Sequence, residues 1–591
     1  MTYLEKLSAI RQQMKIDGIA AYIIPSADPH MSEYLPDHYK SISFVTGFTG
    51  SVSTVVITQD FAGLWADSRY FVQAEEQLAG SGFQLIKLKA QGVAEYIDWL
   101  AEKLDINATV AFDKRTVSIL LGEQLKKQLI ALNIQFEQKD YIGQIWKDRP
   151  SLPAQPAFLI DEKVVGQSVP SKLTAIRKEL ARLNASHHLV SSLDDMAWIF
   201  NIRGQDVSFN PVVLSFALIS SSEAKIYIDE SKLSTDDLTN LKANGITIAN
   251  YDAIDKDLAS LPDHSSILID PKRNCYYLYQ QIPQSVKKIL ETNPSTYFKA
   301  IKNDVEIKNT RKTMIKDGAA ITYFFKWIKD NIGKIEITEI SAAEKLRDFR
   351  AAQDGFVGES FNTIAGYRAH GALPHYAATA ESDVAIKAKG LFLVDSGGQY
   401  QYGTTDITRV IPLGENTPEE STDYTLVLKA MIEGCKTRFP KGTCGYQIDA
   451  ITRRPMWDYA LNYGHGTGHG VGYYLNVHEG PHIFNASATP IPIELGTITS
   501  IEPGIYRIGK HGIRIENLVL TVKDEQNEFN EFYAFETLTL APIDTTLVKK
   551  ELLEHAHITW LNNYHQLVYE NVAPLLDDET RTFLKEMTKA I

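Results

Sequence analysis

Four carboxylates in the second half of this chain sit in runs that otherwise read as apolar strand. Asp395 closes LFLVD, and Asp406 follows eleven residues later in GTTDITRVI. Glu502 in ITSIEPGIY and Glu516 in GIRIENLVL repeat the arrangement fourteen residues apart. His469 lies between the two pairs. Acidic residues are depleted in buried strands because an unpaired carboxylate is costly to take out of water. A fold that buries these four therefore needs a shared source of positive charge beside them. Two divalent cations supply it.

Residues eleven apart cannot be neighbours on one straight strand, which rises about 3.3 Å per residue. A hairpin brings them together, and SGGQYQYGTT between Asp395 and Asp406 is rich in turn formers. The expectation is that Asp406 lies across from Asp395. Glu502 and Glu516 are separated by PG and by GKHG, which permit a second hairpin. His469 belongs to GHGTGHGVG, whose glycines allow close backbone approach. Four carboxylates and one imidazole, with no thiolate, favour Mn²⁺; Co²⁺ or Zn²⁺ are alternatives. Water shared by two such ions is acidified, so metal-assisted hydrolysis is the expected chemistry.

His478-Glu479-Gly480-Pro481-His482 spells H-E-x-x-H. That motif works only on a helix, and Gly480 with Pro481 breaks one. The glycine run at 464–472 fits no dinucleotide fingerprint, and neither a phosphate-binding loop nor a nucleophile elbow occurs.

At 591 residues the chain is too long for one core. A net charge of −13 argues against a nucleic-acid partner. Three cysteines form no disulfide framework and fit a reducing compartment. The first residues carry charges throughout and lack a signal-peptide core, and no apolar run is long enough to span a membrane. The expectation is a cytoplasmic protein. Strand and helix patterns alternate from GIAAYIIP through SISFVTGF, STVVIT and GLWADS, which reads as an α/β domain over 1–155. A proline-rich connector follows at about 149–156. A second α/β domain over 156–300 resembles the first at an offset of about 155 residues. The third domain, 301–591, holds all the candidate ligands and ends in a helical extension.

VDSGGQYQYGTTDITR, HGTGHGVGYYLNVHEGP, EPGIY and GIRIEN closely resemble the creatinase/aminopeptidase family, and within it the long, three-domain Xaa-Pro aminopeptidases. DPHMSEY, DDMAWIFNIRGQDVSFNPV and WLNNYH extend the resemblance over nearly the whole chain. It implies two creatinase-N-terminal-like α/β domains before a catalytic domain of mixed α+β "pita-bread" fold. It implies that Asp395 binds one metal, that Asp406 and Glu516 bridge two, and that His469 and Glu502 bind the other. Glu502 would relay protons while a metal-bridging hydroxide attacks the scissile bond. His375 and His478 would stabilise the intermediate and orient substrate. His465 would line the proline side, with Phe361 also at the pocket. Arg514 shares a strand face with Glu516 and would position the carboxylates. His370, His482 and His511 match nothing in the family pattern and are left structural. Peptides with an N-terminal Xaa-Pro bond are the implied substrates, and a homodimer the implied assembly.

Three relatives fit less well. A prolidase-type dipeptidase shares the ligands but lacks this long N-terminal half. Methionine aminopeptidase is much shorter, and creatinase does not use this metal set. A non-catalytic binding protein of the same fold would have lost ligands, and here all five stand in place.

Overall fold

The computed structural model describes residues 1–89 and 92–591. They divide into two compact units, Met1–Glu162 with Gln167–Ser295, and Lys163–Gly166 with Thr296–Ile591.

The first unit contains two six-stranded sheets of one topology. In sheet order the first runs Gln84–Lys87, Ala62–Ala66, Thr54–Ile57, Ala21–Pro25, Thr109–Phe112, Gln135–Gln138. The second runs Ile246–Ala249, Ala224–Tyr227, Phe216–Ser220, His187–Val190, Ser266–Ile269, Lys287–Leu290. In both, the second, third and fourth strands of that order pair antiparallel and the other neighbours pair parallel. SISFVTGF does not form a strand: Ser41–Thr46 is a helix. Ile42, Val45 and Thr46 are its buried residues, so one helical face carries the burial.

The second unit opens with the long helix Asp304–Asn331. Asn303 caps its N-terminus, and the Glu306 side chain returns a bond to the cap backbone. Thr310, Thr313, Met314, Asp317, Ile321, Phe324 and Ile328 recur at helical spacing and are buried. The helix Pro418–Cys435 starts from a Thr417–Glu420 capping box. It is buried nearly all round because Val427, Leu428 and Met431 form one core with Ile501, Ile515, Val519, Leu561 and Val568. That core anchors two sheets. One is three-stranded, with Leu391–Ser396 between Ile364–Tyr367 and Ile407–Pro412. The other is six-stranded and runs Arg438–Pro440, Glu531–Thr537, Asn517–Gln526, Ile498–Ile501, Gly468–Gly470, Glu479–Phe484. The H-E-x-x-H sequence thus runs into a strand, and Glu479 is buried in ion pairs with Lys302 at 2.5 Å and Lys299 at 3.6 Å.

Candidate metal centre

Each candidate ligand is delivered by a strand or by a break between strands of the second unit. Asp395 is inside the Leu391–Ser396 strand, where its cross-strand partners are Ile364 and Thr408. Asp406 therefore does not lie opposite Asp395 as its spacing suggests. The hairpin changes sheets on the way. Its tip, Gly398–Tyr400 with Gly403–Thr404, pairs within a different sheet. Asp406 follows that tip, just before the Ile407–Pro412 strand. Glu502 and Glu516 occupy a similar break. Ile501 pairs with Asn517 in one ladder and Gly504 with Arg514 in the next, with both glutamates between. A ladder break frees a side chain from the strict in–out alternation of a strand, so carboxylates from different strands can converge.

His469 stands at the centre of the short Gly468–Gly470 strand. A Cβ on Gly468 would lie 1.8 Å from the Ser500 carbonyl oxygen, so only glycine brings this strand so close. The His469 backbone N–H donates to Ser500 Oγ at 3.0 Å, and Ser500 Oγ donates to Glu502 at 3.3 Å. His469 Nε2 lies 3.5 Å from a carboxylate oxygen of both Asp406 and Glu502. One ligand atom each from Asp406, His469 and Glu516 falls within 4.8 Å of the others.

The surroundings are arranged for anions that share a cation. Arg514 donates to Asp395 Oδ2 at 2.5 Å and to the Tyr506 hydroxyl at 2.7 Å, and that hydroxyl is 2.7 Å from His465 Nε2. Thr408 Oγ1 donates to Glu516 Oε2 at 2.7 Å. Asp395 Oδ1 and Glu516 Oε1 are buried without a hydrogen-bond partner. Burial, then the neighbouring acids, hold Asp395 and Glu516 above the usual carboxylate range, and burial pushes Glu502 up to about 7. Burial pulls the His469 imidazole down, but its bond to Asp406 and the charge of Glu502 override this and bring it to about 9. Two buried carboxylate oxygens with no donor, in a set of oxygen ligands plus one imidazole, are what a pair of hard or borderline divalent ions would satisfy. The residues fit such ions.

The remaining predicted residues lie around this cluster. The His478 ring meets the His469 ring edge-on, with centroids 4.3 Å apart. His375 follows Pro374, whose carbonyl accepts a long 3.4 Å bond from Arg514. Phe361 is buried in the loop before Ile364, the cross-strand partner of Asp395. His370, His482 and His511 have partners elsewhere: Glu339 at 2.9 Å, Thr499 at 3.0 Å and Asp423 at 2.8 Å. Thr408, Ser500, Tyr506 and Arg409 were not singled out by the sequence. Thr408 had a signal, because it sits two residues from Asp406 and so on the same side of an extended chain.

Residues 6–142 and 148–306 each match a creatinase/prolidase N-terminal domain, 308–523 match metallopeptidase family M24, and 531–591 match the C-terminal region of that peptidase family. Aminopeptidase P2 of Arabidopsis thaliana is 37% identical over 98% of this chain and 87% of its own length. The chain belongs to the aminopeptidase P branch of metallopeptidase family M24. Aminopeptidase P1 of Lotus japonicus is 34% identical over 99% of both chains. An X-prolyl aminopeptidase from Caenorhabditis elegans, described as a cytosolic enzyme with a di-nuclear active site, superposes with a TM-score of 0.96 at 32% identity over 100% of both chains. Two creatinase-type N-terminal domains followed by a pita-bread domain are thus the architecture of this chain.

Proposed function

We propose that this chain is a dinuclear metallo-aminopeptidase that releases the N-terminal residue from peptides whose second residue is proline. One observation carries the reading. In a chain matched end to end by an X-prolyl aminopeptidase, Asp406, His469 and Glu516 offer ligand atoms within 4.8 Å of one another, and Asp395 Oδ1 and Glu516 Oε1 are buried with no hydrogen-bond partner. Asp395, Asp406, His469, Glu502 and Glu516 would hold the two ions, with Asp406 and Glu516 shared between them. Mn²⁺ fits this oxygen-rich set, and Co²⁺ or Zn²⁺ are the alternatives. Bound divalent ions supply acidified water and polarisation of a carbonyl oxygen.

The chain's own groups do the rest. Glu502, with a carboxyl near 7, can hold or release a proton at its Oε atoms close to neutral pH. Arg514 fixes Asp395 and, through Tyr506, the orientation of His465 on the proline side of the pocket. His375 and His478 orient the substrate and donate to developing negative charge. Phe361 lines the pocket. A proline amide nitrogen carries no hydrogen and its ring fixes φ, so a pocket shaped to the ring accepts a bond that asks for no donor. The like topology of the two N-terminal sheets supports duplication of one domain, with limits near 1–155 and 156–300. We further infer a cytoplasmic homodimer, which sedimentation velocity and cell fractionation test.

The decisive experiment compares Arg-Pro-Pro with the dipeptide Gly-Pro, with and without Mn²⁺. Release of free arginine that depends on Mn²⁺ is expected. Turnover of the dipeptide alone would mean a prolidase. No turnover of either with the metal present would mean a binding protein.

A further inference from the structure

Arg409 is 2% exposed, yet all six of its hydrogen bonds go to uncharged acceptors. A guanidinium so buried normally takes a carboxylate partner. Here Nη1 donates to the backbone carbonyls of Glu516 at 2.5 Å and Thr408 at 3.0 Å. Nη2 donates to Asn517 Oδ1 at 2.8 Å, to the Tyr564 hydroxyl at 2.8 Å and to the Ala541 carbonyl at 3.1 Å, and Nε reaches the Pro542 carbonyl at 3.2 Å. One side chain thus joins the backbone of a candidate ligand to the C-terminal extension.

The acceptors on the extension are themselves fixed. Tyr564, in the WLNNYH segment of the helix His555–Val572, donates its hydroxyl to the carbonyls of Ala541 and Thr539 at 2.8 and 3.1 Å. Its ring stacks on Trp560 at 5.2 Å between centroids. The other end of the strut is equally constrained. The Glu516 backbone N–H donates to the Thr408 carbonyl at 3.1 Å, and its Oε2 accepts from Thr408 Oγ1 at 2.7 Å. Glu516 is therefore held at its amide, its carbonyl and one carboxylate oxygen, and the carbonyl depends on a cation whose position the extension sets.

We propose that Arg409 and Tyr564 are positioning residues for the metal centre: the C-terminal extension holds Glu516 in its metal-binding geometry through the Tyr564–Arg409–Glu516 strut. Outer partners of metal ligands typically change affinity by about 10- to 100-fold when lost. The inference rests on Glu516 being a metal ligand.

Metal-stripped protein titrated with Mn²⁺ by calorimetry tests it, alongside thermal melting and KM at saturating Mn²⁺. Tyr564→Phe keeps the stacked ring and removes the hydroxyl; Arg409→Lys keeps the charge and removes the fork. Each should raise half-saturating Mn²⁺ by about tenfold or more, with KM for Arg-Pro-Pro within about twofold of the parent. The double variant should bind no more weakly than Arg409→Lys alone, because the two residues act in series. His557→Gln is the control. His557 ties the first turn of the same helix to Glu433 at 2.5 Å without touching Arg409, so its loss should lower the melting temperature and leave Mn²⁺ affinity unchanged. Parent-like titrations for the folded variants overturn the proposal, and so does His557→Gln weakening Mn²⁺ as much as Tyr564→Phe. If Arg409→Lys does not fold, Tyr564→Phe decides alone. Glu516→Ala separates the two levels. If it still takes up two Mn²⁺, the ligand assignment itself falls; if it loses them while Tyr564→Phe titrates like the parent, only the strut falls.

Discussion

Asp406 and Glu516 differ from the other carboxylates in what their removal would do. Both lie with His469 within one ligand set, and both are read as shared between two ions. Asp406→Ala or Glu516→Ala should therefore abolish metal uptake and peptide hydrolysis together; a variant with two ions and full turnover would refute the sharing. His375→Ala should lower turnover by roughly 10²-fold, the scale of losing one donor to developing charge, while both ions stay bound. Unchanged turnover would remove its role. Protons compete with metal here, because ligands must give them up to coordinate. Glu502 sits near 7 in the metal-free cluster, raised first by burial. Half-saturating Mn²⁺ should accordingly rise as the pH falls from about 8 to about 6. In Glu502→Gln that rise should be shallower, and an equal slope in both proteins would count against Glu502 as a ligand.

Among the elements, the Gly468–Gly470 strand tolerates little added bulk. A Cβ on Gly468 meets the Ser500 carbonyl at 1.8 Å, and one on Gly470 meets the Glu479 carbonyl at 2.3 Å. Backbone cannot step aside as a side chain can. Gly468→Ala should destabilise the fold by about 1–3 kcal/mol, the cost of overpacking, and displace His469 from Asp406 and Glu502. A melt and a Mn²⁺ titration both like the parent's would show that the strand has room after all. The glycines of GHGTGHGVG made the close backbone approach legible in the sequence, though not the strand itself. The hairpin register was not legible. Asp395 faces Thr408 because the hairpin tip leaves for another sheet, with Gly397 against the Thr405 carbonyl, and local sequence does not say where a strand changes sheets. SISFVTGF failed for a related reason: a short apolar run fits either period, and the tertiary core chose the helix. Arg409 was invisible because its acceptors are backbone carbonyls from distant segments, which carry no residue signature.

Over the whole molecule, acid should act in both units and chelation in the second alone. His188, in the first unit, is held neutral by burial and titrates only at about 4; His482 and His565, in the second, are held to about 3 and about 4, again by burial first. An unfolded histidine takes its proton near 6.5, whereas these folded ones do not until the pH is far lower. Their neutrality is without cost above about 6.5. It draws down stability progressively as the pH falls from there toward the folded values. Chelation works differently, since ligand binding stabilises only those openings that would release the ion, and every candidate ligand is in the second unit. Hydrogen exchange read peptide by peptide separates the two effects. After correction for intrinsic rates, lowering the pH from 7 to 5 should speed exchange in His187–Val190 and in its neighbour Ser266–Ile269, and His188→Gln should blunt that change. Removing the metal at pH 7.5 should leave those strands alone. It should instead expose Leu391–Ser396, Ile498–Ile501 and the start of Asn517–Gln526, which carry or flank the ligands. Exchange that rose equally in all five segments on chelation would mean that the ions stabilise the chain globally, and the assignment of a local cage in the second unit would have to be abandoned.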